Sequence, residues 1–240
     1  ISALSSNDEV KNIGAAGTAM RFLTAYYAIS SESVVMTGTE RMKNRPISIL
    51  VDALRSLGAD IEYMEKEGYP PLKINGKKLQ GGELHVKGDV SSQYLSALLM
   101  IAPYTAEGIK LVIEGDLVSR PYLQMTLSLM SDFGICYTWK ENIIEIKPSE
   151  YKPKEFTVEN DWSAASYWYS VVALSGNISI ELDFLNKESL QGDSYLKELY
   201  KPLGVETEFV GSGVKLYKNN NVSLPPFYEI SLKEQPDLAQ

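Results

Sequence analysis

Five arginines occur in the chain, and four of them (Arg21, Arg41, Arg45 and Arg120) fall in loops or in the first turns of apolar-periodic stretches. The 18 lysines, 23 basic residues less the five arginines, are instead scattered throughout. A guanidinium is a planar fork that meets carboxylate or phosphate in a bidentate way, so arginines gathered there suit anionic groups. Beside them stand small hydroxyl and amide residues, each where a helix is expected to begin: Gly17-Thr18, Ser91-Ser92-Gln93, and Ser119 followed by Arg120-Pro121-Tyr122. Helix starts carry unpaired N–H groups and the positive end of the macrodipole, so two of them facing each other would grip a doubly anionic ligand. For Arg45 and Arg120 taken singly, surface pairing with Glu40 or Asp116 remains an alternative. Asp237, after Pro236, reads by itself as a surface-turn residue.

Other chemistries are excluded by what is scarce. One cysteine, Cys136, and one histidine, His85, leave no disulfide framework, no Cys/His metal cluster and no Ser–His–Asp triad, so a chain without metal-binding protein ligands is expected. Cys136 reads as a core residue of a strand and His85 as an exposed strand residue. The 240 residues are 44% hydrophobic and 22% charged, with a net charge of −8, which argues against a nucleic-acid surface spread over the molecule. No apolar run approaches a membrane span and the N-terminus lacks a signal-like pattern, so a cytoplasmic protein without membrane or nucleic-acid partners is expected. The missing initiator Met and the abrupt end at Pro236 to Gln240 read as a fragment.

The elements that must hold these residues recur. Glycines placed to end helices fall at Gly58, Gly134 and Gly204, spaced by 76 and 70 residues. Before them lie apolar-periodic stretches at Pro46 to Leu57, Pro121 to Phe133 and Asp193 to Leu203. After them come paired alternating runs: Asp60 to Glu65 with Leu72 to Asn75, Ile135 to Trp139 with Ile143 to Lys147, and Val205 to Phe209 with Val214 to Tyr217. Upstream in each unit, small-residue helices start at Gly17, Ser91 and Ser163 and lead into strands at Ser33 to Met36, Lys110 to Glu114 and Asn177 to Glu181. Strands are also expected at Glu83 to Lys87, Glu155 to Glu159 and Phe227 to Ser231. The fold class is therefore α/β with mixed sheets, built of repeated βαβαββ units. A domain boundary is expected near Val158 to Asp161, giving a domain over 1–158 and part of a second over 159–240.

Several motifs together resemble one family. Ala16-Gly17-Thr18-Ala19-Met20-Arg21, Thr37 to Pro46 (reading Thr-Gly-Thr-Glu-Arg-Met-Lys-Asn-Arg-Pro), Gly88 to Met100 around Ser91-Ser92-Gln93, Ser119-Arg120-Pro121-Tyr122 and Gln235-Pro236-Asp237 are similar, in order and spacing, to the 5-enolpyruvylshikimate-3-phosphate synthases. The resemblance covers essentially the whole chain. It implies an enolpyruvyl transferase fold of two domains with the active site in the cleft between them, monomeric when full length. The reaction it implies needs no cofactor or metal: the 5-hydroxyl of shikimate 3-phosphate adds to C2 of phosphoenolpyruvate, and inorganic phosphate is then lost.

Carried onto matching positions, the resemblance implies that Thr18, Ser91, Ser92, Gln93, Ser119 and Tyr122 contact shikimate 3-phosphate and that Gly17, Arg41 and Gln93 belong to the phosphoenolpyruvate pocket. Arg21 is a supporting residue. Asp237 resembles the carboxylate that meets the 5-hydroxyl, both binding substrate and acting as catalytic base. Ala15 and Phe22 depart from the family pattern, where Asn and Pro are common, which bears on sensitivity to glyphosate-like inhibitors. The family's N-terminal Lys-Ser motif and its C-terminal Glu, Arg, His and Lys have no counterpart in residues 1–240, so the piece alone is expected to be inactive. Two other readings fit parts of this pattern. The transferase acting on UDP-N-acetylglucosamine shares the fold but uses a loop Cys, and a repeat-built nucleic-acid clamp or non-catalytic scaffold would show similar tandem units.

Overall fold

The computed structural model describes residues 9–239. The chain packs as two compact units: unit 1 runs to Val118 and takes in Thr126–Pro153, while unit 2 comprises Ser119–Met125 and the chain from Lys154 onward. The sequence placed the division at 158/159, without the Ser119–Met125 segment.

Unit 1 holds two copies of one plan. The first runs β1 (Val10–Asn12), α1 (Gly17–Ile29), β2 (Ser33–Thr37), the short α2 (Glu40–Lys43), α3 (Ser48–Ser56), β3 (Asp60–Tyr63) and β4 (Leu72–Asn75). The second runs β5 (Gly82–Lys87), α4 (Ser92–Ile101), β6 (Ile109–Glu114), α5 (Arg120–Asp132), β7 (Tyr137–Lys140) and β8 (Ile143–Ile146), the first turns of α5 belonging to unit 2. Their sheets have the same order, β1-β2-β4-β3 and β5-β6-β8-β7. In each, the first two strands are parallel and the rest antiparallel, with Val10 opposite Val35 and Gly82 opposite Ile109. A parallel pair needs a crossover, which α1 and α4 provide.

Apolar spacing explains which faces are covered. β6 buries Ile109, Leu111 and Ile113, every second residue. α1 buries Met20, Thr24, Ala25, Tyr27 and Ala28, whereas α4 is buried nearly all round, from Tyr94 to Leu99 and at Ile101, as a helix packed inside its unit must be. The three helix-ending glycines take left-handed φ values of 99° (Gly58), 88° (Gly134) and 79° (Gly204), a conformation that a side chain disfavours.

Unit 2 holds α6 (Trp162–Leu174), β9 (Ser179–Leu182), α7 (Leu196–Tyr200), β10 (Val205–Val210) and β11 (Gly213–Lys218), its sheet ordered β10-β11-β9. Trp162, Tyr169, Val172, Leu196, Val214 and Leu216 form the centre of its core. Compared with unit 1, this sheet is the same plan without its first strand.

Four expectations are corrected here. Glu155 to Glu159 is not a strand: Glu159 instead anchors the chain through its carboxylate, which accepts from Trp162 Nε1 (2.9 Å), Asn186 N (2.7 Å), Ser189 Oγ (2.6 Å) and Gln191 Nε2 (3.0 Å). Phe227 to Ser231 forms no ladder either, and Phe227 is 75% exposed. A strand exists only where a neighbour takes its backbone groups, which composition does not reveal. The helix expected over Asp193 to Leu203 is α7 between two 3-10 turns, Gly192–Tyr195 and Lys201–Leu203, because Pro202 offers no N–H and crowds the carbonyl four residues back. Cys136 is exposed and precedes β7, the buried position being taken by Ile135.

Candidate active site

In unit 1 the residues singled out lie just past the C-terminal ends of the parallel strands. Gly17 and Thr18 open α1 after β1, Arg41 lies on α2 after β2, and Ser91, Ser92 and Gln93 start α4 after β5. The connecting loops are fastened backbone to backbone: Ile13 N donates to Thr37 O and Thr39 N to Gly14 O, both at 3.0 Å. Carboxyl ends of parallel strands in open α/β sheets are where ligands usually bind.

Two helix starts are joined there. Gln93 Nε2 donates to Thr18 Oγ1 at 3.0 Å. Neither Ala16 at the N-cap of α1 nor Ser91 at that of α4 makes a side-chain capping bond, and neither helix has an acidic residue in its first turn. Both starts therefore keep their N–H groups and positive dipole ends unopposed by a carboxylate, which is what an anion requires.

Arginines border this place. Gly17 lies against the guanidinium of Arg45, so that a Cβ at Gly17 would collide with it. Arg21 is only 8% exposed, its guanidinium stacked 5.0 Å above the Tyr94 ring, and its buried Nε has no hydrogen-bond partner. Tyr94 in turn donates from Oη to Pro46 O at 2.8 Å, tying α4 to the loop before α3. Glu40 pairs with Lys43 at 3.5 Å, and among the described residues no carboxylate reaches Arg21, Arg41 or Arg45, so the surface-pairing alternative finds no support for Arg45. Arg41 is on the exposed side of α2, whose Thr39 cap accepts from Met42 N at 3.4 Å, and no bond joins it to Thr18 or Gln93.

Unit 2 carries a second cluster. Ser119, 7% exposed, takes a left-handed φ of 57° just before α5. One turn on, Tyr122 Oη donates to Asp193 Oδ1 at 2.7 Å, and Ser163 Oγ donates to Asp193 Oδ2 at 2.5 Å. Asp237 lies in the 3-10 turn Pro236–Ala239, and its charge acts on the Tyr122 hydroxyl. Burial together with the carboxylates of Asp193 and Asp237 holds the Tyr122 hydroxyl well above its ordinary pKa, so it stays protonated and can donate. Asp237 is exposed as a residue, yet its carboxyl is partly desolvated and faces Asp193 and Asp161; all three effects push it up from the ordinary carboxylate range. Asp161 caps α6, accepting from Ser163 N at 2.8 Å and Ala164 N at 3.3 Å.

Sequence reasoning did not single out Asp193, Asp161 or Gly192. Asp193 opens the periodic stretch Asp193 to Leu203, but nothing local says that its carboxylate is used by Tyr122, 71 residues earlier.

An α/β protein of repeated mixed-sheet units, with anion-ready helix starts at its strand ends, is the class these features define. The family model for EPSP synthase (3-phosphoshikimate 1-carboxyvinyltransferase) matches residues 1–239, and the chain belongs to that family. It is 51% identical over 241 residues to the 3-phosphoshikimate 1-carboxyvinyltransferase of Bacteroides fragilis, covering 100% of this chain and 58% of the relative. It is 44% identical over 200 residues to the enzyme of that name from Vibrio vulnificus, covering 82% and 46%. The chain thus spans roughly half the length of these relatives. A solved structure of EPSP synthase from Acinetobacter baumannii superposes with a TM-score of 0.67 at 19% identity, over 89% of this chain and 48% of the other, and shares its fold.

Proposed function

We propose that this chain is the substrate-holding part of an enzyme that transfers the enolpyruvyl group of phosphoenolpyruvate to the 5-hydroxyl of shikimate 3-phosphate, releasing inorganic phosphate. The observation that carries the reading is the Gln93–Thr18 bond, which fastens two uncapped helix starts side by side. Ser91, Ser92, Gln93 and Thr18 are assigned to the 3-phosphate through hydroxyl, amide and backbone donors. Ser119 and Tyr122 are assigned to the same substrate, Tyr122 against the ring. Gly17 and Arg41 are assigned to phosphoenolpyruvate: a glycine admits the anion closely and a guanidinium binds its charged oxygens. Arg21, buried and without a carboxylate partner, adds positive potential beside them.

Asp237 is assigned as the base. It orients the 5-hydroxyl and takes its proton as oxygen bonds to C2 of phosphoenolpyruvate and C3 gains a proton; loss of that proton with phosphate then restores the double bond. A carboxyl held above its usual range is a better proton acceptor once ionised, which supports the role. The division into a substrate-binding domain over 1–158 and part of a second over 159–240, a cytoplasmic location and a monomeric whole protein belong to the same proposal. Phosphate release from the two substrates tests it. The complete protein should release phosphate only when both are present, and the 240-residue chain alone should release none; turnover by the chain alone would overturn the assignment of roles.

A further inference from the structure

We propose that Asp193 is a positioning residue for the shikimate 3-phosphate site, acting through the hydroxyl of Tyr122. The inference rests on the reading of Tyr122 and Asp237 as substrate residues and adds to it a group that has no contact with substrate in that reading.

Asp193 is 2% exposed and lies in the 3-10 turn Gly192–Tyr195. Both its oxygens are engaged, one by Tyr122 of α5 at 2.7 Å and one by Ser163 of α6 at 2.5 Å. Among the described residues no cation pairs with it. A buried carboxylate held only by neutral hydroxyls is a costly way to join two helices, since apolar side chains would do so without desolvating a charge. What a carboxylate supplies that they do not is direction. A tyrosine hydroxyl has one proton to give; with that proton committed to Asp193, its oxygen is left to accept. Asp193 thereby fixes the orientation of the Tyr122 hydroxyl, and with it the ring assigned to lie against the substrate.

The local sequence permits this approach. Gly192 lies against the Pro121 ring, and a Cβ there would collide with Pro121 Cβ, a rigid atom that cannot swing aside. A glycine at this point lets the turn carrying Asp193 come within hydrogen-bonding reach of Tyr122.

The test uses the complete protein and the variants Asp193→Ala, Asp193→Asn, Tyr122→Phe and Asp193→Ala/Tyr122→Phe, with folding checked by circular dichroism. Asp193→Ala should lower kcat/KM for shikimate 3-phosphate about 10- to 100-fold, as loss of an orienting hydrogen bond does, and should leave KM for phosphoenolpyruvate within about twofold. In the Tyr122→Phe background the same change should add less than about twofold, because the route through the hydroxyl is already cut. Asn keeps one oxygen for Tyr122 and an amide for Ser163, so Asp193→Asn should retain most of the activity. Its acid limb of kcat/KM should move to lower pH, since of the groups facing Asp237 (Asp193, Asp161 and Tyr122) one charge has been removed. An equal loss from Asp193→Ala with and without Tyr122 would make Asp193 merely structural and overturn the proposal. An acid limb unmoved in Asp193→Asn would do the same, and this readout stands even if the alanine variant does not fold. If Tyr122→Phe and Asp237→Asn both leave shikimate 3-phosphate kinetics unchanged, the reading of the site itself fails and the proposal with it.

Discussion

Gln93, at the start of α4, donates to Thr18, at the start of α1, across 75 residues of sequence. An isolated bond of this kind contributes only about 0.5–1.5 kcal/mol to stability. It also sets two helix N-termini beside each other with their first N–H groups uncapped by side chains.

The glycine beside that bond should be sensitive in a particular way. Gly17→Ala gains helix propensity but drives a methyl into the Arg45 guanidinium, the far end of a flexible side chain that can move away. The variant should melt within about 3 °C of the parent, while KM for phosphoenolpyruvate rises about tenfold, or about 1.4 kcal/mol of binding. Thermal unfolding and steady-state kinetics on one preparation check both halves; a large loss of stability with unchanged KM would show that Gly17 serves packing alone.

Arg21 separates structure from function even more sharply. Its guanidinium is buried, stacked on Tyr94 and without a hydrogen bond at Nε, so Arg21→Met replaces an incompletely satisfied charge with an apolar chain of similar length. Stability should hold or rise, while affinity for phosphoenolpyruvate falls about 10-fold or more. A drop in melting temperature of about 5 °C or more with unaltered affinity would mark a structural arginine.

The pH profile follows from Asp237. Partial desolvation and the facing carboxylates of Asp193 and Asp161 raise its pKa in the folded protein, and a base works only when ionised. The acid limb of kcat/KM should therefore lie above the ordinary Asp range. Asp161→Asn keeps the cap of α6 but removes one of the repelling charges, so the limb should shift to lower pH. For stability the sign is opposite to that of a salt-bridged carboxylate: a folded pKa above the unfolded one makes this group unfavourable to folding at higher pH, an effect relieved as pH falls through the folded value. A limb that does not respond to Asp161→Asn would remove Asp237 from the role of base.

Much of the fold was written locally. Gly58, Gly134 and Gly204 announce their helix ends because a left-handed residue is required there whatever surrounds it, and alternation along β6 names its buried face without reference to a partner. Strands that need a neighbour were not legible in this way. Glu155 to Glu159 has a composition compatible with a strand, yet in the folded chain the carboxylate of Glu159 gathers four donors and no ladder forms. The helix starts of the candidate site could be read from Gly17-Thr18 and Ser91-Ser92-Gln93, since small and hydroxyl residues ahead of an apolar-periodic stretch are a local signal. Asp193 could not, because its partners Tyr122 and Ser163 are 71 and 30 residues away and only the fold brings them together.

Calorimetric titration of the 240-residue chain with shikimate 3-phosphate, parent against Gln93→Ala, bears most directly on the claim that paired helix starts hold the sugar phosphate. Single-site binding by the parent, weakened about tenfold or more in Gln93→Ala at unchanged melting temperature, is the expected result. Equal affinity in the two proteins would contradict it.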